Sequence, residues 1–236
     1  MPNRFIVNVC LTGITPSKHM NQYVPITAEE IAKDVDECIE LGASMFHVHA
    51  RDERQNPDWR KETYENILKA IRKVSKDVVI CVSTSGRRVN EIEKRISCLD
   101  ANPKPDMASL TMGSLNFPSE GVLNSPQTIT AIIQAMYDHG INPEIEIFDI
   151  GMARNTSRLI GDGTLRPPYY ANILLGNIAS ADASLLGLAA ILQHLPREVI
   201  WCAGGIGRTQ LKAVTLGILF GHGVRVGLED SLYIYD

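Results

Sequence analysis

His47-Val48-His49 is the first stretch of this chain whose residue types and spacing could do chemistry. If it closes a strand, the two-residue period sends both imidazoles to one face, with their α-carbons roughly 6.5–7 Å apart. Rings so placed can converge on one ion at about 2.0–2.1 Å. The alternative is two unrelated polar residues at a strand end. A carboxylate that could join them stands in Arg225-Val226-Gly227-Leu228-Glu229-Asp230. His47, His49 and Glu229 would then form a three-ligand metal site with positions open for a substrate oxygen, as catalytic sites require. Zinc is the first choice, and Mn²⁺, Co²⁺ or Fe²⁺ suit the same donors. Local sequence also allows Glu229-Asp230 to be a solvated helix start.

Other polar segments could serve such a centre. Ser83-Thr84-Ser85-Gly86-Arg87-Arg88 offers hydroxyls, a glycine and two guanidiniums, which suit a carboxylate or phosphate or equally a helix N-cap loop. Ser109-Leu110-Thr111-Met112-Gly113-Ser114 has the same character. In Glu146-Ile147-Phe148-Asp149 the two acids point to opposite faces, and either is a proton carrier or a structural cap. Trp201 to Arg208 carries Gly204, Gly205 and Gly207, which permit close backbone approach to a ligand, though ligand-free glycine turns are as common.

Each of these segments follows a strand-like run. Apolar, β-branched stretches span Phe5–Cys10, Met45–His49, Val78–Ser83, Asp106–Thr111, Glu144–Asp149, Tyr170–Leu175, Val199–Ala203 and Gly223–Leu228. Helical periods lie between most of them. Thr27 and Glu30 form a capping box ahead of Ile31, Val35, Cys38 and Ile39. Tyr64, Ile67, Leu68, Ile71 and Val74 line a second helix, and a short one is expected near Glu91–Leu99. Ser125-Pro126 starts another. Further helices are expected over Asp182–His194 and about Thr209–Phe220. About eight strands separated by helices argue for parallel βαβ units. A (β/α)₈ barrel is favoured over an open sheet because the polar segments sit at strand C-terminal ends, which share one rim in a barrel. Strand one would lie between strands two and eight, so Glu229 could reach the histidines. A closed barrel wants an eighth helix, and the chain stops at Asp236 soon after the eighth strand. The C-terminal helix is therefore expected to be missing or truncated, with another element or a partner covering that edge.

Composition sets the class. The chain has 236 residues, 44% of them hydrophobic and 21% charged, and reads as one domain over 1–236. A net charge of −4 argues against nucleic acid, and no apolar run is long enough to span a membrane. Met1-Pro2-Asn3-Arg4 enters a strand without a signal-peptide plan. Five cysteines without CxxC spacing suggest reduced thiols in a cytoplasmic protein.

Taken together, Leu11-Thr12-Gly13, His47-Val48-His49-Ala50-Arg51, Ser83 to Arg87, Ala108-Ser109-Leu110-Thr111, Glu144 to Asp149, Trp201 with its glycines and Arg208, and Arg225 to Asp230 carry a resemblance. They resemble, in order and over nearly the whole chain, the β-keto acid cleavage enzymes, of which 3-keto-5-aminohexanoate cleavage enzyme is the founding type. The resemblance implies a zinc-dependent barrel that condenses a β-keto acid with acetyl-CoA, giving acetoacetate and a new acyl-CoA. It implies zinc on His47, His49 and Glu229, and proton transfer to Asp230 paired with Arg225. It puts Ser83 and Thr111 near the substrate's keto-acid end, and Glu146 in the family's strand-five acidic motif. A small-molecule β-keto acid and a CoA thioester are the implied partners, within a homo-oligomer (dimer or tetramer). On the bare ligands, a zinc hydrolase of the same fold is the alternative.

The founding type carries a glutamate after strand one that holds a substrate ammonium; here that place reads Gly13-Ile14-Thr15. An ammonium there would lack a counter-ion, at a cost of several kcal/mol. An uncharged or anionic β-keto acid is therefore expected, unless Asp52 or Glu53 reaches in.

Overall fold

Local signals in the sequence start the helices where expected. Thr27 accepts a hydrogen bond from the Glu30 amide, and the Glu30 carboxylate accepts one from the Thr27 amide, capping α1 (Ala28–Glu40). Ser125 caps α4 (Pro126–Asp138), with proline in the first turn. The computed structural model describes residues 5–234; Met1–Arg4, Tyr235 and Asp236 lie outside them.

Eight parallel strands close into a barrel. They are β1 (Ile6–Cys10), β2 (Met45–Val48), β3 (Val79–Val82), β4 (Met107–Thr111), β7 (Asn142–Ile147), β8 (Tyr170–Leu175), β9 (Ile200–Gly205) and β10 (Gly223–Val226). Around the circle the order is β1–β10–β9–β8–β7–β4–β3–β2. The remaining pair, β5 (Leu115–Asn116) and β6 (Gly121–Val122), is a small antiparallel hairpin after β4, without an expectation from sequence. The outer helices are α1, α2 (Lys61–Val74), α3 (Ile92–Ile96), α4, α5 (Ile150–Gly161), α6 (Leu185–Leu192) and α7 (Gln210–Phe220). The barrel expectation holds. One helix lay outside the sequence reading: α5 starts at Asp149, whose side chain accepts from the Met152 amide, and buries Met152, Ala153, Thr156 and Leu159. No helix follows β10 among the described residues, and no helix in them is long and apolar enough to cross a membrane.

The main core lies between strands and helices, with Phe46, Ile80, Leu110, Ile145 and Ile173 packed against Ile67, Ile71, Ile132 and Ile133. Inside the barrel a smaller apolar layer, Met45, Cys81, Met107, Tyr170 and Cys202, fills the lower part. Above it the interior turns polar. Asn8, Glu144, Asn172 and Arg225 are all buried there, although barrel interiors ordinarily hold branched apolar side chains. That exchange marks where the barrel holds its chemistry.

Candidate active site

Strand register assembles the site. β1 separates β2 from β10, with Cys10 level with His47 and Asn8 level with Arg225. The loop leaving β10 then folds over the barrel mouth, where the Glu229 amide donates to the Cys10 carbonyl. Gly13 makes room: it sits at φ +66°, and a Cβ there would fall 2.8 Å from Glu229 Cγ. Arg51 fixes the same loop by donating from Nε to the Gly13 carbonyl and from Nη2 to the Pro16 carbonyl.

His47, His49 and Glu229 are brought together as the sequence predicted. His47 Nε2 and His49 Nε2 are 3.2 Å apart, and His49 Nε2 is 3.2 Å from Glu229 Oε1. His47 Nε2 lies 3.8 Å from Glu229 Oε2. Tetrahedral ligands with bonds of about 2.0–2.1 Å stand roughly 3.3–3.4 Å from one another, so this donor set fits a divalent ion. Glu229 Oε2 is buried with no hydrogen-bond partner. Such an atom costs free energy unless something binds it. Charge points the same way. Glu146, Glu229 and Asp230 share a single buried guanidinium, Arg225, while Glu144 backs His47, so carboxylates outnumber the fixed cation.

Glu144 is the residue that sequence reasoning missed. Its side chain is fully buried; Oε2 lies 2.7 Å from His47 Nδ1, and Oε1 accepts from Asn8 and Asn172. Occupying Nδ1 leaves Nε2 of His47 for the ion, the usual carboxylate–histidine arrangement around metals. Only the strand period could have signalled it, because Glu144 shares the inward face of β7 with Glu146.

Arg225 ties the remaining acids together. Its Nε donates to Asp230 Oδ2 at 2.9 Å, Nη1 to Glu146 Oε1 at 3.2 Å and Nη2 to Glu229 Oε1 at 3.1 Å. Burial works to raise Glu229, but His49, His47 and Arg225 outweigh it and hold its carboxyl far below the usual range. Burial would lower His47, yet Glu229 and Glu144 pull it up to about 9. His49 is lowered by burial despite Glu229. Burial raises Asp230, with Arg225 opposing and Glu229 adding, and it raises Glu146 against Arg225.

These groups form the floor of a cavity of about 1000 Å³ at the C-terminal ends of the strands. Ser83, Arg87 and Thr111 line it, and Thr111 Oγ1 donates to Glu146 Oε2 at 2.7 Å. Gly86 is absent from that wall. Its α-carbon packs on buried Arg95, where a Cβ would meet Nη1 at 2.7 Å, so it serves loop packing. Asp149 caps α5, which separates its role from that of Glu146. Ile206, Gly207 and Arg208 reach the cavity from the loop after β9, whereas Trp201 packs on His222. Asp52 accepts from the Arg54 and Asn56 amides within its own turn, and neither it nor Glu53 lines the cavity.

Comparison with known proteins agrees with this geometry. Residues 4–236 match the family model described as beta-keto acid cleavage enzyme. The 3-keto-5-aminohexanoate cleavage enzyme of Fusobacterium nucleatum is 32% identical over 99% of this chain and 85% of its own length. The 3-oxoadipate:acetyl-CoA acetyltransferase of Cupriavidus necator is 31% identical over 96% of this chain and 80% of its own. Among solved structures, ObcA in a ternary complex with a C4-CoA adduct and oxalate superposes with a TM-score of 0.78 at 20% identity, over 91% of this chain and 59% of that one. This chain thus spans little more than half of ObcA, and the likeness speaks for the fold alone. Matched by the family model over nearly its whole length and by relatives above 30% identity, the chain belongs to the beta-keto acid cleavage enzyme family.

Proposed function

We propose that this protein condenses a β-keto acid with acetyl-CoA, releasing acetoacetate and the acyl-CoA of the remaining fragment. One observation carries the reading: two imidazoles and a partnerless buried carboxylate oxygen stand beside an Arg225–Asp230 pair on the floor of an open cavity. His47, His49 and Glu229 would hold the divalent metal, with zinc the first choice. Bound there, it would supply Lewis acidity to the keto oxygen and so acidify the carbon between keto and carboxylate groups.

The protein's own groups do the rest. Asp230 takes the proton from that carbon onto its carboxylate, which faces the cavity and is raised by burial toward the pKa of a useful base. Arg225 fixes the Asp230 carboxylate and opposes the burial that raises it. Ser83 and Thr111 orient the keto-acid end, and Thr111 is itself positioned by Glu146. The new carbon–carbon bond forms to the acetyl carbonyl and the CoA thiolate leaves; the thiolate then adds to the former keto carbon, the bond from that carbon to the central carbon breaks, and protonated Asp230 returns its proton to the central carbon, giving acetoacetate and the acyl-CoA. Atoms balance without redox chemistry. The enzyme is further read as cytoplasmic and homo-oligomeric. Its five cysteines are free, and α7 turns Leu211, Ile218, Leu219 and Phe220 to solvent.

Incubating a panel of β-keto acids with acetyl-CoA, and identifying acyl-CoA products by mass spectrometry, tests the reaction. Turnover that needs no CoA would instead favour the hydrolase. Metal analysis of His47→Ala/His49→Ala protein tests the centre; stoichiometric metal in that variant would falsify the ligand assignment.

A further inference from the structure

We infer that the substrate is a dicarboxylic β-keto acid, and that Arg87 reads its second, distal carboxylate. The inference rests on the proposed reaction and adds the substrate class. Among the described residues, the only acids lining the cavity are Glu146, Glu229 and Asp230, and all three are engaged by Arg225 on the floor. Away from that floor the charged side chains on the wall are Arg87, Arg208 and Lys212. The cavity is thus anionic where a metal would sit and cationic toward its rim.

Arg87 is the cation built for recognition. Its Cζ stands over the Phe117 ring, 4.0 Å from the centroid. Its Nε donates to Glu120 at 2.5 Å, and Arg88 approaches the same carboxylate at 3.6 Å. Two guanidiniums sharing one carboxylate leave a positive charge in excess. Among the described residues Nε is the only side-chain nitrogen of Arg87 with a hydrogen-bond partner, and Arg87 lines the cavity. A guanidinium held over an aromatic ring and by Nε, with its terminal nitrogens unbonded, is suited to a carboxylate. Ser83 projects from the same loop, so one end of a keto acid can meet Ser83 while its tail meets Arg87. Arg208, in the turn after β9, and Lys212, in the first turn of α7, stand on the β9 side, across the barrel from β3, so that side is left to the phosphates of a CoA thioester. A tail ammonium would find Ile14 and Arg87 and no acid.

The test compares three acids with acetyl-CoA in the wild type, Arg87→Gln and Arg87→Lys. 3-Oxoadipate and 3-oxohexanoate differ only in a terminal carboxylate against a methyl; 3-keto-5-aminohexanoate carries an ammonium. The expected kcat/KM preference for 3-oxoadipate over 3-oxohexanoate is roughly 10- to 100-fold, the range of a charge-assisted hydrogen bond. Arg87→Gln should bring that ratio near one, and Arg87→Lys should keep part of it. A merely structural loss would lower both substrates together and leave the ratio intact, which would overturn the inference. So would a wild-type preference for the methyl or amino compound. If no keto acid turns over, the proposed reaction fails, but calorimetry of adipate against hexanoate still decides this point. Tighter adipate binding that Arg87→Gln abolishes upholds it, and equal binding overturns it.

Discussion

Glu144 Oε2 lies 2.7 Å from Nδ1 of His47, in a barrel interior where neither side chain reaches solvent. The contact decides which imidazole nitrogen faces the cavity. It holds an ionised carboxylate at full burial: His47 offsets the burial penalty and keeps Glu144 at about 2. Glu144→Gln preserves the shape but removes the charge behind His47. Metal affinity is expected to fall roughly 10- to 100-fold, the usual cost of losing such a partner. A metal dissociation constant equal to wild type would show that Glu144 serves the fold alone.

Asp230 is the proposed proton acceptor. Asp230→Asn keeps the side-chain volume and a contact to Arg225, so metal content and melting temperature should stay near wild type. Turnover should drop roughly 10²- to 10⁴-fold, the range for losing a general base. Wild-type turnover would remove Asp230 from the mechanism.

Gly13 couples the loop after β1 to the metal centre. Alanine there would be held at φ +66° with its Cβ 2.8 Å from Glu229 Cγ. The left-handed backbone costs about 1–2 kcal/mol, and the clash pushes Glu229 away from the histidines. Gly13→Ala should therefore lower stability and weaken metal binding together. Unchanged metal affinity in a protein with a lowered melting temperature would separate the two effects and refute the coupling.

Away from the site, His139 ends α4 with Nδ1 at 2.7 Å from the Ala135 carbonyl and Nε2 at 2.9 Å from Asp100 Oδ1. The Ala135 carbonyl and then Asp100 raise its pKa. A proton held more tightly in the folded state adds stability that is complete below about 6.5, the ordinary histidine value. That stability disappears as pH rises through the higher folded value. His139→Asn should thus lose about 0.5–1 kcal/mol more in acid than in mild alkali by urea unfolding. An equal loss at both ends would contradict this.

Much of the site was legible before any fold. His47-Val48-His49 announced itself because a two-residue strand period puts both rings on one face whatever surrounds them. Glu229 was legible because a parallel barrel must place strand eight beside strand one, whereas Arg225 and Asp230 were singled out by the resemblance to the family. The Thr27–Glu30 and Ser125–Pro126 helix starts are local hydrogen-bond chemistry and needed no tertiary partner. Other roles depended on distance in space. Glu144 reads as one acid of two on β7; only the closed barrel sets it 97 residues from His47 in sequence and 2.7 Å away in space. Asp149 and Glu146 were equal candidates until α5 claimed Asp149 as its cap. Gly86 looked like part of a ligand cradle, but burial of Arg95 behind it gave it to packing. Arg87 and Glu120 meet only because the β5–β6 hairpin folds back over the loop after β3. Periodicity and capping act within a few residues, so sequence determined them; which charges face each other is settled only when distant strands close into one ring.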